Sequence, residues 1–197
     1  MKVCTKSCFI CDANRRKKQE SKKVVKNPFH SNLSQEWGTP EIVLDAVREV
    51  FGGGIDLDPA SSAEANKYVG AARVFTKEDN GPVNRLWWGD VFVNPPSGRP
   101  DRKSLSLPEQ FWEVMKGNLK NIDQGIYLGY NLELLRMCDG ILQFPICVPD
   151  KRLKFVPLAG QKAGSPQHGN FITYVPGTVD RTDMFLNAFS KIGAVKR

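Results

Sequence analysis

"GDVFVNPPSG", residues 89–98, is the stretch on which the fold turns. Val91, Phe92 and Val93 are β-branched and aromatic, the composition of a strand covered on both faces. Proline cannot donate to a sheet ladder, so the strand must stop near Asn94. Pro95 also pushes Asn94 away from helical geometry. The result is a stiff elbow at a strand's C-terminal end, presenting the Asn94 amide and the Pro95 carbonyl. In an open α/β sheet, ligands bind at that end of the strands.

Working outward, "TPEIVLDAVREVF" from Thr39 predicts a helix. Thr39 is placed to cap the first turn, Pro40 suits the first helical position, and Glu41 favours the positive end of the dipole. Ile42, Val43, Ala46, Val47 and Val50 recur at helical spacing and form one buried stripe, which "GGG" at 52–54 ends. "IDLDPAS" reads as a strand ending at Asp58–Pro59, followed by a helix over about 62–69 and a strand at "ARVFT". Residues 99–107 read as a polar, basic loop, and a helix runs from 108 to about 119 with Phe111, Trp112 and Met115 inward. "GIYLGY", "GILQFPICV" and "FITYV" are apolar strands, with "NLELLRMC" helical between the first two and "RTDMFLNAFSKI" a terminal helix. Strands alternate with helices, which predicts an α/β fold with a mostly parallel sheet and helices on both faces.

The 197 residues suit one domain over 28–197, preceded by a basic arm over 1–27 that is expected to be disordered. The arm carries nine basic and two acidic residues, 9 − 2 = +7, which is the whole net charge. The body is formally neutral, with 19 of each sign. An arm of this kind is either a non-specific phosphate contact or a solvated tail. No run approaches the ~18 apolar residues of a membrane span, and no apolar stretch follows the N-terminus as in a secretory signal, so the cytoplasm is expected.

"CTKSCFIC" places Cys4, Cys8 and Cys11 at C-x3-C-x2-C spacing. Three thiolates suit an iron–sulfur cluster or zinc. A cluster loop normally follows a first strand, yet only three residues precede Cys4, and a zinc site needs a fourth ligand, with His30 distant. The expectation is no metal. Cys138 and Cys147 sit in apolar contexts and read as small buried hydrophobes.

Two strand ends carry unusual chemistry: "DLDP" at 56–59 and "NPPS" at 94–97. An acidic residue at such an end bonds a ribose hydroxyl or a ligand ammonium. Asn94 and Pro95 supply two fixed acceptors, which match the two hydrogens of an –NH2 group. Holding both steers the nitrogen lone pair out of conjugation, so positioning and electrostatics make an aromatic amine nucleophilic. The same tripeptide also serves as a proline-stiffened turn.

Taken in order, "EWGTP" (36–40), "DLDPASSAEAN" (56–66), "FTKEDNG" (75–81), "VFVNPPSG" (91–98), "FPICVPDKRLKF" (144–155) and "SPQHGNF" (165–171) resemble the motifs of phage-type DNA N6-adenine methyltransferases. The resemblance implies a Rossmann-like methyltransferase fold, S-adenosylmethionine as methyl donor and adenine in DNA as acceptor, in a phage- or prophage-encoded protein of a bacterial host. It implies that Asn94 and Pro95, with Pro96 and Ser97 beside them, hold the amine. Thr39 and Pro40 would hold the cofactor's methionine end, with Trp37 packing nearby. Asp56 and Asp58, followed by Pro59, would contact its amino group or ribose, and Asp79 and Asn80 its adenine. The target base must flip out of the duplex. Arg99, Arg102 and Lys103, and Lys151, Arg152 and Lys154, are candidate phosphate contacts. Two departures stand out. Ser97 occupies the place where amine-directed methyltransferases carry a stacking aromatic, leaving Phe29, Trp112 or Phe171 as substitutes, and "DPAS" replaces a glycine-rich turn. Alternatives are the same fold acting on cytosine N4 or on RNA, or a catalytically decayed nucleic-acid-binding protein.

Overall fold

A computed structural model of the chain describes residues 37–79, 86–158 and 168–197. The arm with its cysteine cluster, Phe29, His30 and Asn80 lie outside the described residues. The strands are β1 (Trp37–Gly38), β2 (Ile55–Asp58), β3 (Ala71–Val74), β4 (Gly89–Val93), β5 (Ile122–Gly129), β6 (Ile146–Pro149), β7 (Val156–Pro157), β8 (Phe171–Pro176) and β9 (Gly193–Lys196). The helices are α1 (Glu41–Phe51), α2 (Ala63–Val69), α3 (Leu107–Gly117), α4 (Leu134–Met137) and α5 (Thr182–Ser190).

Seven strands form one sheet in the order β3-β2-β4-β5-β8-β6-β9, while β1 pairs only with β7. β2 runs parallel to β3 and β4, and β4 parallel to β5. β8 lies antiparallel to β5 and β6, and β9 antiparallel to β6. Only β8 and β9 therefore oppose the rest, and the sheet is mostly parallel.

The central strands are apolar because both their faces are covered. Val91, Phe92 and Val93 of β4 and Ile126, Tyr127 and Leu128 of β5 are fully buried. Alternate residues feed two cores. Phe92, Ile126 and Leu128 pack with α1 and α5, and Val91, Val93 and Tyr127 pack with α3 and α4. Cys138 and Cys147 are buried among these apolar groups, as their contexts predicted. Among the described residues no helix is long and apolar enough to cross a membrane.

Several element boundaries differ from expectation. α1 begins at Glu41 with Pro40 as its extended N-cap residue, and the Thr39 side chain makes no cap. The Pro40 carbonyl accepts the Val43 and Leu44 amides at 2.9 and 3.2 Å. Ile42 faces solvent, one step off the buried stripe. Gly52 ends α1 at φ +75°, and Arg181 donates to the exposed carbonyls of Val50 and Phe51 at 3.1 and 2.7 Å. "GILQF" is no strand: residues 141–143 form a single 3-10 turn, and β6 starts only at Ile146. β9 sits where the terminal helix was expected to end the chain.

Candidate functional site

The chain enters the large sheet at β2, moves out to β3, then returns to the other flank of β2 as β4. This reversal makes the crevice above the C-terminal ends of β2 and β4 a topological switch point. Both unusual strand ends open there. Asp58 is the last residue of β2, and Asn94 follows the last residue of β4.

Asn94 donates from Nδ2 to Oγ1 of Thr39 at 3.2 Å. The contact joins residues 55 positions apart and explains why Thr39 does not cap α1: its hydroxyl is turned onto the elbow. Thr39 is almost wholly buried, so the tether lies where water competes little. With Nδ2 held, Asn94 Oδ1 is left as an acceptor. Pro95 is buried, and its carbonyl takes no hydrogen bond among the described residues. Pro96 and Ser97 are exposed.

Asp58 is 2% exposed, and no cation pairs with it among the described residues. Burial pushes its carboxyl up from 3.8 to about 7, against the opposing pull of the Ala60 amide and the Ser61 hydroxyl. Oδ1 accepts the Ala60 N–H at 3.0 Å, a local turn that also buries Pro59. The Asp58 carbonyl accepts the Phe75 amide at 3.0 Å, and the Phe75 carbonyl accepts that of Ser61 at 3.1 Å. The loops after β2 and β3 are thus laced together at the rim.

The sequence left open which of the two aspartates faces a ligand. Asp56 sits two residues down β2, with Oδ2 accepting the Asp90 amide at 2.9 Å at the start of β4. Its carboxylate also fills the space a Cβ on Gly89 would need, and Gly89 has φ +68°. Asp56 therefore ties β2 to β4, while Asp58 stands at the end of β2 beside the crevice. On the loop after β3, exposed Asp79 accepts the Thr76 amide at 2.9 Å and its hydroxyl at 3.0 Å. Those two bonds hold its carboxyl below the usual range.

β1 is pinned by β7, with Trp37 opposite Pro157 and Gly38 opposite Val156. A Cβ on Gly38 would press on Leu158 and Val156 at 3.3 Å, a tight approach that a side chain would fit only if those neighbours shift by a few tenths of an ångström. Trp37 is half-buried, and Pro40 is buried at the start of α1. The short β1–β7 pair, too brief to show a period, is what delivers Thr39 to Asn94.

The basic residues divide. Arg99 lies 3.5 Å from the Glu109 carboxylate and donates to the Ser104 carbonyl at 2.7 Å, so it ties its own loop down. Arg102 and Lys103 are exposed on that loop, whose turn is organised by Asp101 accepting the Lys103 and Ser104 amides. Lys151, Arg152 and Lys154 are exposed just after β6, which runs in the same direction as β4. They stand at the same edge of the sheet as the elbow.

Two of the expected stacking aromatics are excluded by their positions. Trp112 is fully buried, edge-on to Tyr127 and Phe144, with Nε1 donating to the Asp139 carbonyl at 2.8 Å. Phe171 is fully buried against Tyr127. Neither offers a free face. Sequence reasoning missed Tyr130, which is half-buried just past the end of β5 and beside β4. The available signal was its place: an aromatic immediately after a strand whose neighbour ends in the proline elbow.

The chain matches no family model, no curated protein and no solved structure.

Proposed function

We propose that the chain is a DNA methyltransferase that moves a methyl group from S-adenosylmethionine to the N6 amine of adenine, on a Rossmann-like methyltransferase fold. The observation that carries this reading is the Asn94 Nδ2 to Thr39 Oγ1 hydrogen bond of 3.2 Å. It fixes the amide with its oxygen unspent, beside a buried proline carbonyl with no donor of its own among the described residues. Two fixed acceptors at one elbow suit an –NH2 group.

The crevice between the ends of β2 and β4 is the place for S-adenosylmethionine, and Asp58 supports the fit. A buried carboxylate with no cation among the described residues suits a ligand that brings its own hydrogen-bond donors, such as a ribose or an ammonium group. Thr39, Pro40 and Trp37 would line the crevice from the β1 side. Bound there, the sulfonium supplies an electrophilic methyl carbon. Asn94 Oδ1 and the Pro95 carbonyl would each accept one amine hydrogen and aim the nitrogen lone pair at that carbon. As the N–C bond forms, the C–S bond breaks with its electron pair returning to sulfur, and one amine proton leaves to solvent. The chain's contribution is positioning together with acceptors preset for charge developing on the amine. Arg102, Lys103, Lys151, Arg152 and Lys154 would track the phosphates.

The test is transfer of a labelled methyl to unmethylated duplex DNA, with the product nucleoside read by mass spectrometry. Wild type is expected to yield N6-methyladenine, and Asn94→Ala to lose about 10²–10³-fold in kcat, the scale of deleting one preorganised polar group. Thr39→Val, which keeps the shape and removes the tether, should lose about ten-fold. N4-methylcytosine as the product would move the activity to cytosine. No methyl transfer to DNA or RNA would leave the elbow a turn.

A further inference from the structure

Beside the elbow lies an open cleft of about 290 Å³, separate from the crevice between β2 and β4. Gly98, Arg99, Ser106, Tyr130, Leu134 and Met137 are among the residues that line it. Its volume is near the lower end for small-ligand pockets, ~300 Å³, room for one ring system rather than a nucleoside cofactor. From the geometry we infer that this cleft receives the acceptor base and that Tyr130 is the ring on which it stacks. The inference rests on the methyltransferase reading and deepens it by naming the residue that stands in for the aromatic missing at Ser97.

Three observations carry it. β4 and β5 are parallel neighbours with Val93 opposite Tyr127, so the elbow and Tyr130 leave the sheet side by side. Among the described residues Tyr130 is the one aromatic lining the cleft, whereas Tyr127, Trp112 and Phe171 are sealed in the core. The Tyr130 backbone is also fixed: its carbonyl accepts Asn170 Nδ2 at 3.2 Å, while Asn170 Oδ1 accepts the Leu153 amide at 3.2 Å. Those bonds clamp the loop after β5 to the segment after β6, and His168 meets the tyrosine ring edge-on at 6.5 Å. Tyr130 thus lines the cleft from a held backbone position, with the apolar side chains of Leu134 and Met137 in the same lining, which suits a stacking platform. Gly98, also in the lining, has φ +121°, and a Cβ there would meet nothing closer than Leu107 at 4.0 Å, so the space beside it is open.

The experiment compares wild type, Tyr130→Phe and Tyr130→Ala in steady-state methyl transfer to unmethylated duplex DNA. The dissociation constant for S-adenosylmethionine is measured on each by calorimetry. Loss of one base stack predicts a kcat/KM for DNA lower by roughly 10–100-fold in Tyr130→Ala, with S-adenosylmethionine binding unchanged. Tyr130→Phe keeps the π face and should stay within about two-fold of wild type. As a second readout, single-stranded oligodeoxyadenylate carrying one 2-aminopurine should be quenched on binding to wild type and Tyr130→Phe, but not to Tyr130→Ala. Should Tyr130→Ala melt without cooperativity, Tyr130→Leu replaces it, filling the space without a π face. If the variant lacking the ring matches wild type in transfer and quenching, Tyr130 is not the platform and the methyltransferase reading stands. If wild type neither binds S-adenosylmethionine nor transfers methyl, the reading fails and this inference goes with it.

Discussion

Asp58 and Asp56 show how far a single residue's surroundings decide what it does. Both are carboxylates on one face of β2, yet one accepts a neighbouring strand's amide and the other is buried at an open end. Because burial raises the Asp58 carboxyl to about 7, the folded ligand-free chain keeps a proton there that the unfolded chain releases near 4. The folded state binds more protons across that interval, so stability falls as pH rises from about 4 to about 7, and Asp58 costs most above pH 7. Asp58→Asn keeps an acceptor for Ala60 and removes the charge. It should therefore raise the thermal midpoint at pH 8 and leave it nearly unchanged at pH 4, with a gain on the order of 4 kcal/mol at most. Equal midpoints of mutant and wild type at pH 8 would mean that Asp58 carries no such penalty. At this scale the sequence showed that Asp58 and Asn94 end their strands, because proline punctuates both. It did not show that Thr39 faces Asn94, because an N-cap serine or threonine and an anchoring one look alike until the opposite strand is in place.

Among the elements, the punctuation of α1 was legible and its consequences were larger than the sequence disclosed. Glycines at 52–54 stop the helix, and the structure adds that Arg181, 130 residues away, closes its last carbonyls. Gly52 has a left-handed backbone, and a Cβ there would meet the Arg181 guanidinium, which would have to shift. Gly52→Ala should cost about 1–2 kcal/mol for the conformation, with more for displacing the arginine. Chemical denaturation would show the midpoint falling, whereas a loss under 0.5 kcal/mol would mean that the arginine and backbone adjust freely. Apolar runs such as Val91–Val93 in β4, Ile126–Leu128 in β5 and the apolar residues of β8 were readable because burial on both faces selects apolar side chains there. β1, β7 and β9 were not, being too short or too mixed to show a period, and their partners are set by the tertiary fold. The antiparallel placement of β8 and β9 was equally invisible, since strand direction is a property of connections and not of composition.

For the whole molecule, the parallel strands bring several of the candidate residues to one edge of the sheet. The loops after β2, β3, β4, β5 and β6 all emerge there, and with them Asp58, Asp79, Asn94, Tyr130 and the cluster at 151–154. Since the body is formally neutral, the attraction to nucleic acid that the proposed function needs would come from local clusters and from the +7 of residues 1–27. Lys151 and Lys154 are exposed at the site edge, while Lys120 is exposed just ahead of β5, at the opposite edge. Each lysine that neutralises a phosphate releases counterions, contributing about −0.9 to the slope of log affinity against log salt on duplex DNA. In the full chain, Lys151→Ala with Lys154→Ala should shallow that slope by about 2 and weaken binding similarly across unrelated sequences. Lys120→Ala should leave both slope and affinity at their wild-type values. Fluorescence anisotropy with a labelled duplex, titrated between 50 and 200 mM salt, separates the outcomes. An unchanged slope in the double variant would remove Lys151 and Lys154 from the electrostatic contact and leave it to residues 1–27 or the other basic residues. A shallower slope would place the duplex along the edge where the elbow opens, as delivery of a base to Asn94 requires.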